Sequence, residues 1–245
     1  MTTSPIKNRF LSSQEELGVV AVGFSGGQVR PPPFPCASRR LKLTRPQGKA
    51  GVDAGPQVLI DSGLLTQLSS ELGYKLKGDD NVHLYPDLLA KTAEADPPFR
   101  NMKNPLSVSA VTRRIAEQTY EHSRAGRMTL TLGGDHSIAI GTIAGTAKAT
   151  RERLGREIAV IWVDAHADIN TPEASGSGNI HGMPVAFLTG IAKEEREEYF
   201  GWLKEDMRLN HRKLVYIGLR DVDVEEKKIL REYGIKAFSM FDIDR

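Results

Sequence analysis

The chain has 245 residues, of which 40% are hydrophobic and 26% are charged, and its formal net charge is +2. These values are ordinary for a soluble globular protein and fit one large α/β domain, and no apolar run approaches the roughly 18 residues of a membrane-spanning helix. The polar residues 1–13 do not resemble a secretory signal and the single Cys36 excludes an internal disulfide, so we expect a cytoplasmic protein, with a mitochondrial presequence as the alternative.

Short runs rich in valine, isoleucine and leucine predict parallel strands that are buried on both faces, at residues 19–22, 129–132, 159–163 and 214–217. Apolar residues at helical spacing predict helices over residues 56–72, 106–123, 137–153, 194–204 and 224–233, the last one closed by Gly234. Residues 90–104 are polar and contain prolines, which indicates a loop. Because strands and helices alternate, we predict an α/β fold with a parallel sheet.

Residues 29–47 interrupt this pattern. They contain three consecutive prolines, which exclude a helix or a central strand, and five basic residues without an acidic one. Since the net positive charge of the chain depends on this one segment, we expect no nucleic-acid-binding surface. The plainest interpretation of the segment is a surface loop or a linker.

Two polar motifs follow predicted strands, at the edge where functional groups of open α/β sheets gather. Residues 131–137 read TLGGDHS, where two glycines allow a tight turn that presents His136. Residues 161–168 read IWVDAHAD, and a backbone that stays extended would turn Asp164, His166 and Asp168 to one side. Each residue alone is more often a cap or a satisfied polar group. Together, these carboxylates and imidazoles predict a divalent metal site and favour manganese over zinc or copper.

The motifs GGDHS and DAHADIN resemble two metal signatures of the ureohydrolase family and of the arginases within it. Residues 175–184, SGSGNIHGMP, resemble the arginase segment SGNxHGxP, and residues 217–223, IGLRDVD, resemble its GLRDVD motif. Apart from residues 29–47, the likeness runs from about residue 19 to the end. It implies a three-layer α-β-α fold with a mainly parallel sheet, as in arginases and deacetylases, and a single domain over residues 1–245.

The resemblance also implies two Mn²⁺ ions and a role for each matching residue. His136 and His166 would each bind one ion, Asp164 would bridge the two ions, and Asp168 would bind the first ion and hold the bridging hydroxide. His181 would lie at the rim of the site and shuttle protons, which suits a residue that titrates near neutrality. The residues implied to bind substrate are Asn170 and Ser177 at the α-carboxylate and Asp223 with Glu226 at the α-amino group. Ser175 is a further implied substrate-binding residue.

The implied reaction is attack of a metal-bound hydroxide on the guanidinium carbon of L-arginine, which gives L-ornithine and urea. The alternatives are another ureohydrolase, acting on agmatine or a guanidino acid, and an inactive arginase-like fragment. Agmatinases are not expected to share Asn170, Ser177 and Asp223 as a set. Family members tend to be trimers or hexamers, and no membrane or nucleic-acid partner is implied. An ordinary loop at residues 175–178, and helix capping by Asp221 and Asp223, remain open alternatives.

The sequence departs from the family pattern in two places. Gly26-Gly27-Gln28 would join Gly48 smoothly without residues 29–47, which suggests a translated in-frame intron or, alternatively, a lineage-specific loop. Asp242 and Asp244 resemble the third family signature, S-F-D-[VI]-D, but their register fits a helix start better. We therefore expect an incomplete domain that lacks two metal carboxylates, a guanidinium-binding glutamate and the last strands, with little arginase activity of its own.

Overall fold

A computed structural model describes residues 11, 13–28, 51–78, 81–92 and 96–244. The segment at residues 29–47 lies outside the described residues. The strands within them are β1 (Glu16–Val22), β2 (Lys75–Lys77), β3 (Val82–His83), β4 (Met128–Leu132), β5 (Val160–Val163), β6 (Leu214–Leu219) and β7 (Lys236–Ser239). The α-helices within them are α1 (Gly55–Asp61), α2 (Leu64–Ser70), α3 (Pro86–Thr92), α4 (Pro105–Arg124), α5 (Ala139–Leu154), α6 (Pro184–Thr189), α7 (Val224–Glu232) and α8 (Met240–Ile243).

The described strands form two parallel sheets. In the first sheet β1 pairs with β2, β3 and β4, and in the second sheet β6 lies between β5 and β7. All of these pairs are parallel, which confirms the predicted α/β class with its layers of helices and parallel strands. Among the described strands, β4 pairs only with β1 and β5 pairs only with β6, so each of them has an unpaired edge.

Helices α4 and α5 pack against each other and form the centre of the hydrophobic core. Proline at position 105 suits the first turn of α4, where its missing N–H would have no helical partner in any case. The inner face of α4 carries Val108, Val111 and Ile115, each fully buried. A smaller apolar cluster around Leu17, Val19 and Tyr74 joins β1 to α2 and β2. The larger cluster also includes Ile138, Ile169 and Ile180, which are close in the chain to the polar motifs.

The four predicted strands and the helices at residues 106–123 and 224–233 are confirmed within one to three residues. Residues 56–72 form two helices instead of one, separated at Ser62 and Gly63. Residues 137–153 begin with a short 3₁₀ turn, His136–Ile138, before α5. Of the predicted loop at residues 90–104, the first residues belong to α3, residues 93–95 lie outside the described part, and the rest has no regular element.

The helix predicted at residues 194–204 is wrong. The segment is a series of turns in which Phe200, Gly201, Trp202 and Leu203 are all buried. Four consecutive buried residues do not fit an amphipathic helix, which buries one stripe of its surface and exposes the other. The side chain of Glu194 also accepts the main-chain N–H groups of Glu195 and Arg196, so it satisfies these donors locally.

A cavity of about 890 Å³ opens at the amino-terminal ends of β4 and β5, where Met128 and Ala159 are among its lining residues. It lies at the opposite strand ends from the polar motifs and contains none of the predicted site residues. In the part of the chain that is described, no helix is both long and apolar enough to cross a membrane.

Candidate metal centre

The carboxyl ends of β4 and β5 bring the two predicted metal motifs together. His136 starts the 3₁₀ turn that follows β4, and Asp164 directly follows β5, where its main-chain N–H donates to the Ile217 carbonyl of β6 at 3.1 Å. The two sheets therefore meet at this point through side chains, although their described strands are not paired with each other.

Three of the four predicted metal ligands form one cluster. The His136 Nδ1 atom lies 2.9 Å from Asp164 Oδ2 and 2.6 Å from Asp168 Oδ2. One ligand atom from each residue lies within 4.8 Å of the others. Burial alone would lower the pKa of His136, but the hydrogen bond and charge of Asp168, and then the charge of Asp164, raise it. An imidazole nitrogen and two carboxylate oxygens this close together fit a hard or borderline divalent cation.

The fourth predicted ligand, His166, lies on the other side of Asp164. Its Nδ1 atom is 3.6 Å from Asp164 Oδ1, and its Nε2 atom is 3.4 Å from Asp221 Oδ2. The two oxygens of Asp164 thus face two different imidazoles, His136 and His166, which is the arrangement that a bridging carboxylate needs. His166 is half-exposed, so it leaves its side of the centre open to solvent.

The expectation that residues 164–168 stay extended is wrong. β5 ends at Val163, and Asp168 has a left-handed backbone with a φ of 49°. Non-glycine residues seldom adopt this conformation, which costs of order 1–3 kcal/mol and is concentrated at functional sites. The turn brings the Asp168 side chain back to His136 and sends the Asp168 carbonyl to the main-chain N–H of Val185 at the start of α6. Convergence of Asp164 and Asp168 therefore comes from this turn and not from strand alternation.

Two aromatic residues that the sequence analysis did not single out support the centre. The centroid of the Trp162 ring, in β5, lies 4.6 Å from the centroid of the His136 ring, and this contact joins the two motifs. The buried Tyr216 of β6 donates its hydroxyl to the Ala167 carbonyl at 2.7 Å, directly before Asp168. Burial strongly raises the pKa of Tyr216, so its hydroxyl keeps its proton and remains a donor. A tyrosine inside an otherwise aliphatic buried strand is the sequence signal that would have indicated this role.

Asn170, Asp223 and Glu226 lie together beside the metal cluster. The Asn170 amide donates to Asp223 Oδ2 at 2.7 Å, and Asp223 Oδ1 accepts the main-chain N–H of Glu226 at 2.9 Å. Glu226 is buried, which raises its pKa, and its carboxylate accepts the main-chain N–H groups of Asp223 and Ile169. Asp223 thus caps α7, as the alternative interpretation held, and it also contacts Asn170.

The loop with the predicted substrate-binding serines is held by specific hydrogen bonds. Ser175 Oγ is buried and accepts the Gly178 main-chain N–H, while the Asn101 amide donates to the Ser175 carbonyl at 2.6 Å. Ser177 is exposed at the tip, where its hydroxyl accepts the Asn179 N–H at 3.2 Å. The alternative of an ordinary unconstrained loop is therefore less consistent with the structure than a fixed loop that presents Ser177.

His181 lies on a 3₁₀ turn and contacts the residues that follow β1. Its Nδ1 atom and its main-chain N–H both lie near the Gly27 carbonyl oxygen, at 3.0 and 3.1 Å. The Gly27 N–H in turn donates to the buried carboxylate of Asp135, the residue before His136, at 2.8 Å. Burial raises the pKa of Asp135, although the hydrogen bonds from Ser137 and Gly27 oppose the change.

Asp242 and Asp244 lie outside the metal cluster. The Asp242 carboxylate accepts the main-chain N–H and the hydroxyl of Ser239, at 2.8 and 2.6 Å, in a capping box that starts α8. Asp244 follows α8 as its C-terminal cap residue. The helix-start interpretation of this motif is confirmed.

Comparison with known proteins identifies the family. The sequence profile of the Arginase family matches residues 41–245. The arginase of Neurospora crassa is 67% identical over 243 residues, covering 99% of this chain but 62% of its own length, so this chain spans less than two-thirds of that relative. The arginase of Emericella nidulans is 59% identical, with 99% of this chain and 69% of its own length covered. The solved structure of Bacillus cereus arginase matches with a TM-score of 0.72 at 32% identity, over 94% of this chain and 66% of its own. The chain belongs to the arginase family.

Proposed function

We propose that this protein acts as an arginase, a hydrolase that converts L-arginine and water into L-ornithine and urea. The observation that carries the proposal is the Asp164 carboxylate, whose two oxygens face His136 and His166 while Asp168 closes the same cluster. Curated relatives named arginase match over 99% of the chain, which supports the same chemistry.

We propose Mn²⁺ as the metal, because carboxylate oxygens combined with imidazole suit manganese better than the softer, sulfur-seeking ions. His136, Asp164 and Asp168 would hold one ion, and Asp164 with His166 would hold the second. When bound, such ions lower the pKa of water enough to supply a nucleophilic hydroxide near neutral pH. The protein contributes fixed ligands and the buried Asp168, whose backbone is held by Tyr216 through Ala167.

The substrate's amino-acid end would bind at the neighbouring polar cluster. Asp223 is an exposed carboxylate suited to an α-ammonium group, and the buried Glu226 supports it by accepting its main-chain N–H. The exposed hydroxyl of Ser177 and the Asn170 amide are donors suited to an α-carboxylate, with Ser175 fixing the loop. His181 at the loop's end would carry a proton to or from the reacting groups. Agmatine lacks the α-carboxylate, so these donors favour arginine.

The proposal is tested by measuring bound manganese and urea release from L-arginine and from agmatine, beside the Neurospora crassa arginase as a standard. The test variant is Asp164→Asn, and the matched control is Asp206→Asn, an exposed carboxylate on the 3₁₀ turn Glu205–Met207, outside the cluster. We expect urea release that depends on manganese and that occurs with L-arginine but not with agmatine. Asp164→Asn should weaken metal binding by more than the roughly 10- to 100-fold that loss of an outer-shell partner costs, with little change in the control.

Each other outcome contradicts part of the proposal. Urea release from agmatine at an equal or higher rate would assign the chain to another ureohydrolase. A protein that binds no manganese, or binds it equally well after Asp164→Asn, would favour the non-catalytic alternative. The expectation of little activity for residues 1–245 stays a prediction, which the rate relative to the standard measures.

We also make proposals about the pathway, the location in the cell and the domain organisation. We expect a role in arginine metabolism and the urea cycle and a cytoplasmic location. Trimers and hexamers are the assemblies of the resembled family, and we do not carry them over to this chain, whose oligomeric state sedimentation measurements would determine. A single ureohydrolase domain with an extra segment at residues 29–47 also stays a prediction. Sequencing the transcript across residues 28–48 tests whether that segment belongs to the mature message.

A further inference from the structure

We propose that Asp135 is a positioning residue that holds the Gly27 carbonyl in place and thereby fixes His181 as the Nδ1–H tautomer. The proposal deepens the proposed function, since it states how the proton-carrying histidine is oriented. It concerns three chain segments that meet behind the metal cluster, namely the turn after β1, the turn after β4 and the 3₁₀ turn Ile180–Gly182.

The contact between His181 and Gly27 determines which ring nitrogen carries the proton. A main-chain carbonyl oxygen only accepts hydrogen bonds, so the Nδ1 atom at 3.0 Å from it must be the donor. In the neutral ring the Nε2 atom then keeps its lone pair and is free to accept a proton. The main-chain N–H of His181 donates to the same oxygen at 3.1 Å, so one acceptor fixes both the backbone and the ring.

Asp135, which is almost fully buried, holds Gly27 through its main-chain N–H and so positions the carbonyl of the same residue. One carboxylate oxygen accepts the Gly27 N–H at 2.8 Å, and the other accepts the main-chain N–H of Ser137 at 2.9 Å and its hydroxyl. The Asp135 N–H donates back to the Phe24 carbonyl at 2.8 Å. The packing is tight, because a Cβ atom at Gly27 would lie 2.6 Å from Ser137 Oγ and one at Gly134 would collide with the Phe24 carbonyl.

Only a carboxylate satisfies this arrangement. Three donors converge on two oxygens, whereas an asparagine amide offers one oxygen and places an N–H₂ group where the other oxygen lay. Asp135→Asn would therefore leave either the Gly27 or the Ser137 N–H facing another donor in a buried position. Buried donors without acceptors are costly, so the Gly27 turn should shift and release His181.

The tautomer is measured by long-range ¹H–¹⁵N correlation NMR on the full chain with ¹⁵N-labelled histidine, kept free of paramagnetic manganese. The spectra are recorded at about pH 8.5, which is well above the pKa of about 6.5 of a histidine side chain in model peptides. Among the six histidines, His181 is assigned by the signal that disappears in His181→Gln. The matched control is Asp96→Asn, since Asp96 also accepts two main-chain N–H groups and a serine hydroxyl, at the start of α4.

We expect the wild-type His181 to be the Nδ1–H tautomer. Asp135→Asn should produce an appreciable Nε2–H fraction, Ser137→Ala a smaller one, and Asp96→Asn none. An Nε2–H tautomer in the wild type would overturn the proposal, and that measurement needs no substitution at Asp135. If Asp135→Asn does not fold, an unchanged tautomer in Ser137→Ala overturns the role of Asp135. Neither readout involves urea, so failure here and failure of the proposed function are distinguishable.

Discussion

The imidazole of His122, on α4, is wedged against β1. A Cβ atom at Gly18 would lie 2.5 Å from its Cγ atom, and its Nδ1 atom is buried without a hydrogen-bond partner among the described residues. Burial lowers the pKa of His122, the positive charge of Arg127 adds to the effect, and Glu121 opposes it. The neutral ring therefore fits this contact between helix and sheet better than the charged ring does.

This lowered pKa predicts an acid-sensitive stability. Between the folded pKa and the ordinary value of about 6.5, the unfolded chain binds more protons at His122, so the free energy of unfolding falls as the pH decreases. His122→Gln should reduce this slope between about pH 7 and pH 5. Urea-denaturation midpoints at several pH values measure it, with pH 8 as the internal control, where only a constant packing difference should remain. An unchanged slope would contradict the prediction.

Among single residues, the sequence predicted the metal ligands, but it did not predict the residues that hold these ligands in place. His136, Asp164 and Asp168 were predictable because functional groups gather beyond the carboxyl ends of parallel strands, and each of these residues follows such a strand end. The left-handed backbone of Asp168 was not, since it depends on where its carbonyl finds a donor in α6. The roles of Tyr216 and Asp135 depend on contacts between residues far apart in the chain, which no local pattern encodes.

At the level of elements, β5 ends at the metal cluster and carries an exposed apolar face beside an unpaired strand edge. Ile161 and Val163 are 66% and 74% exposed, and among the described strands β5 pairs only with β6. The run was predictable as a strand from its composition, and burial on both faces was inferred with it. That inference is wrong for these two side chains, because their burial depends on which elements pack against the strand in the tertiary structure.

We predict that Ile161→Lys reduces self-association, because an unpaired apolar strand edge is a template for pairing and a lysine there blocks it. The free energy of unfolding should change by no more than about 0.5 kcal/mol, as for other exposed sites. Sedimentation velocity over a range of concentrations measures the association. The matched control is Val224→Lys on α7, since Val224 is 65% exposed but does not lie on a strand. Equal effects of both substitutions would show that general charge, and not the β5 edge, is responsible.

For the whole molecule, the metal cluster joins two sheets that share no strand pairing among the described residues. His136 lies on the turn that follows β4 of the first sheet, whereas Asp164 and Asp168 follow β5 of the second sheet. The alternation of elements predicted the α/β class, but it did not predict this division, because pairing order is not encoded in local periodicity. A cation bound by all three residues would therefore connect the two sheets directly.

This arrangement predicts that manganese stabilises the entire fold. A ligand that binds only the folded state at 100 times its dissociation constant adds about 2.7 kcal/mol, which for a chain of this size raises the melting temperature by about 5–10 °C. His136→Ala should abolish most of the rise, and the rise of each variant is measured from its own metal-free melting temperature because His136 also contacts Asp164 and Asp168 without the ion. The matched control is His211→Ala, because His211 also begins a 3₁₀ turn but lies outside the cluster. Differential scanning calorimetry with and without Mn²⁺ measures the shift. If His136→Ala and wild type show equal shifts, the ion binds elsewhere and the two sheets are not joined through His136.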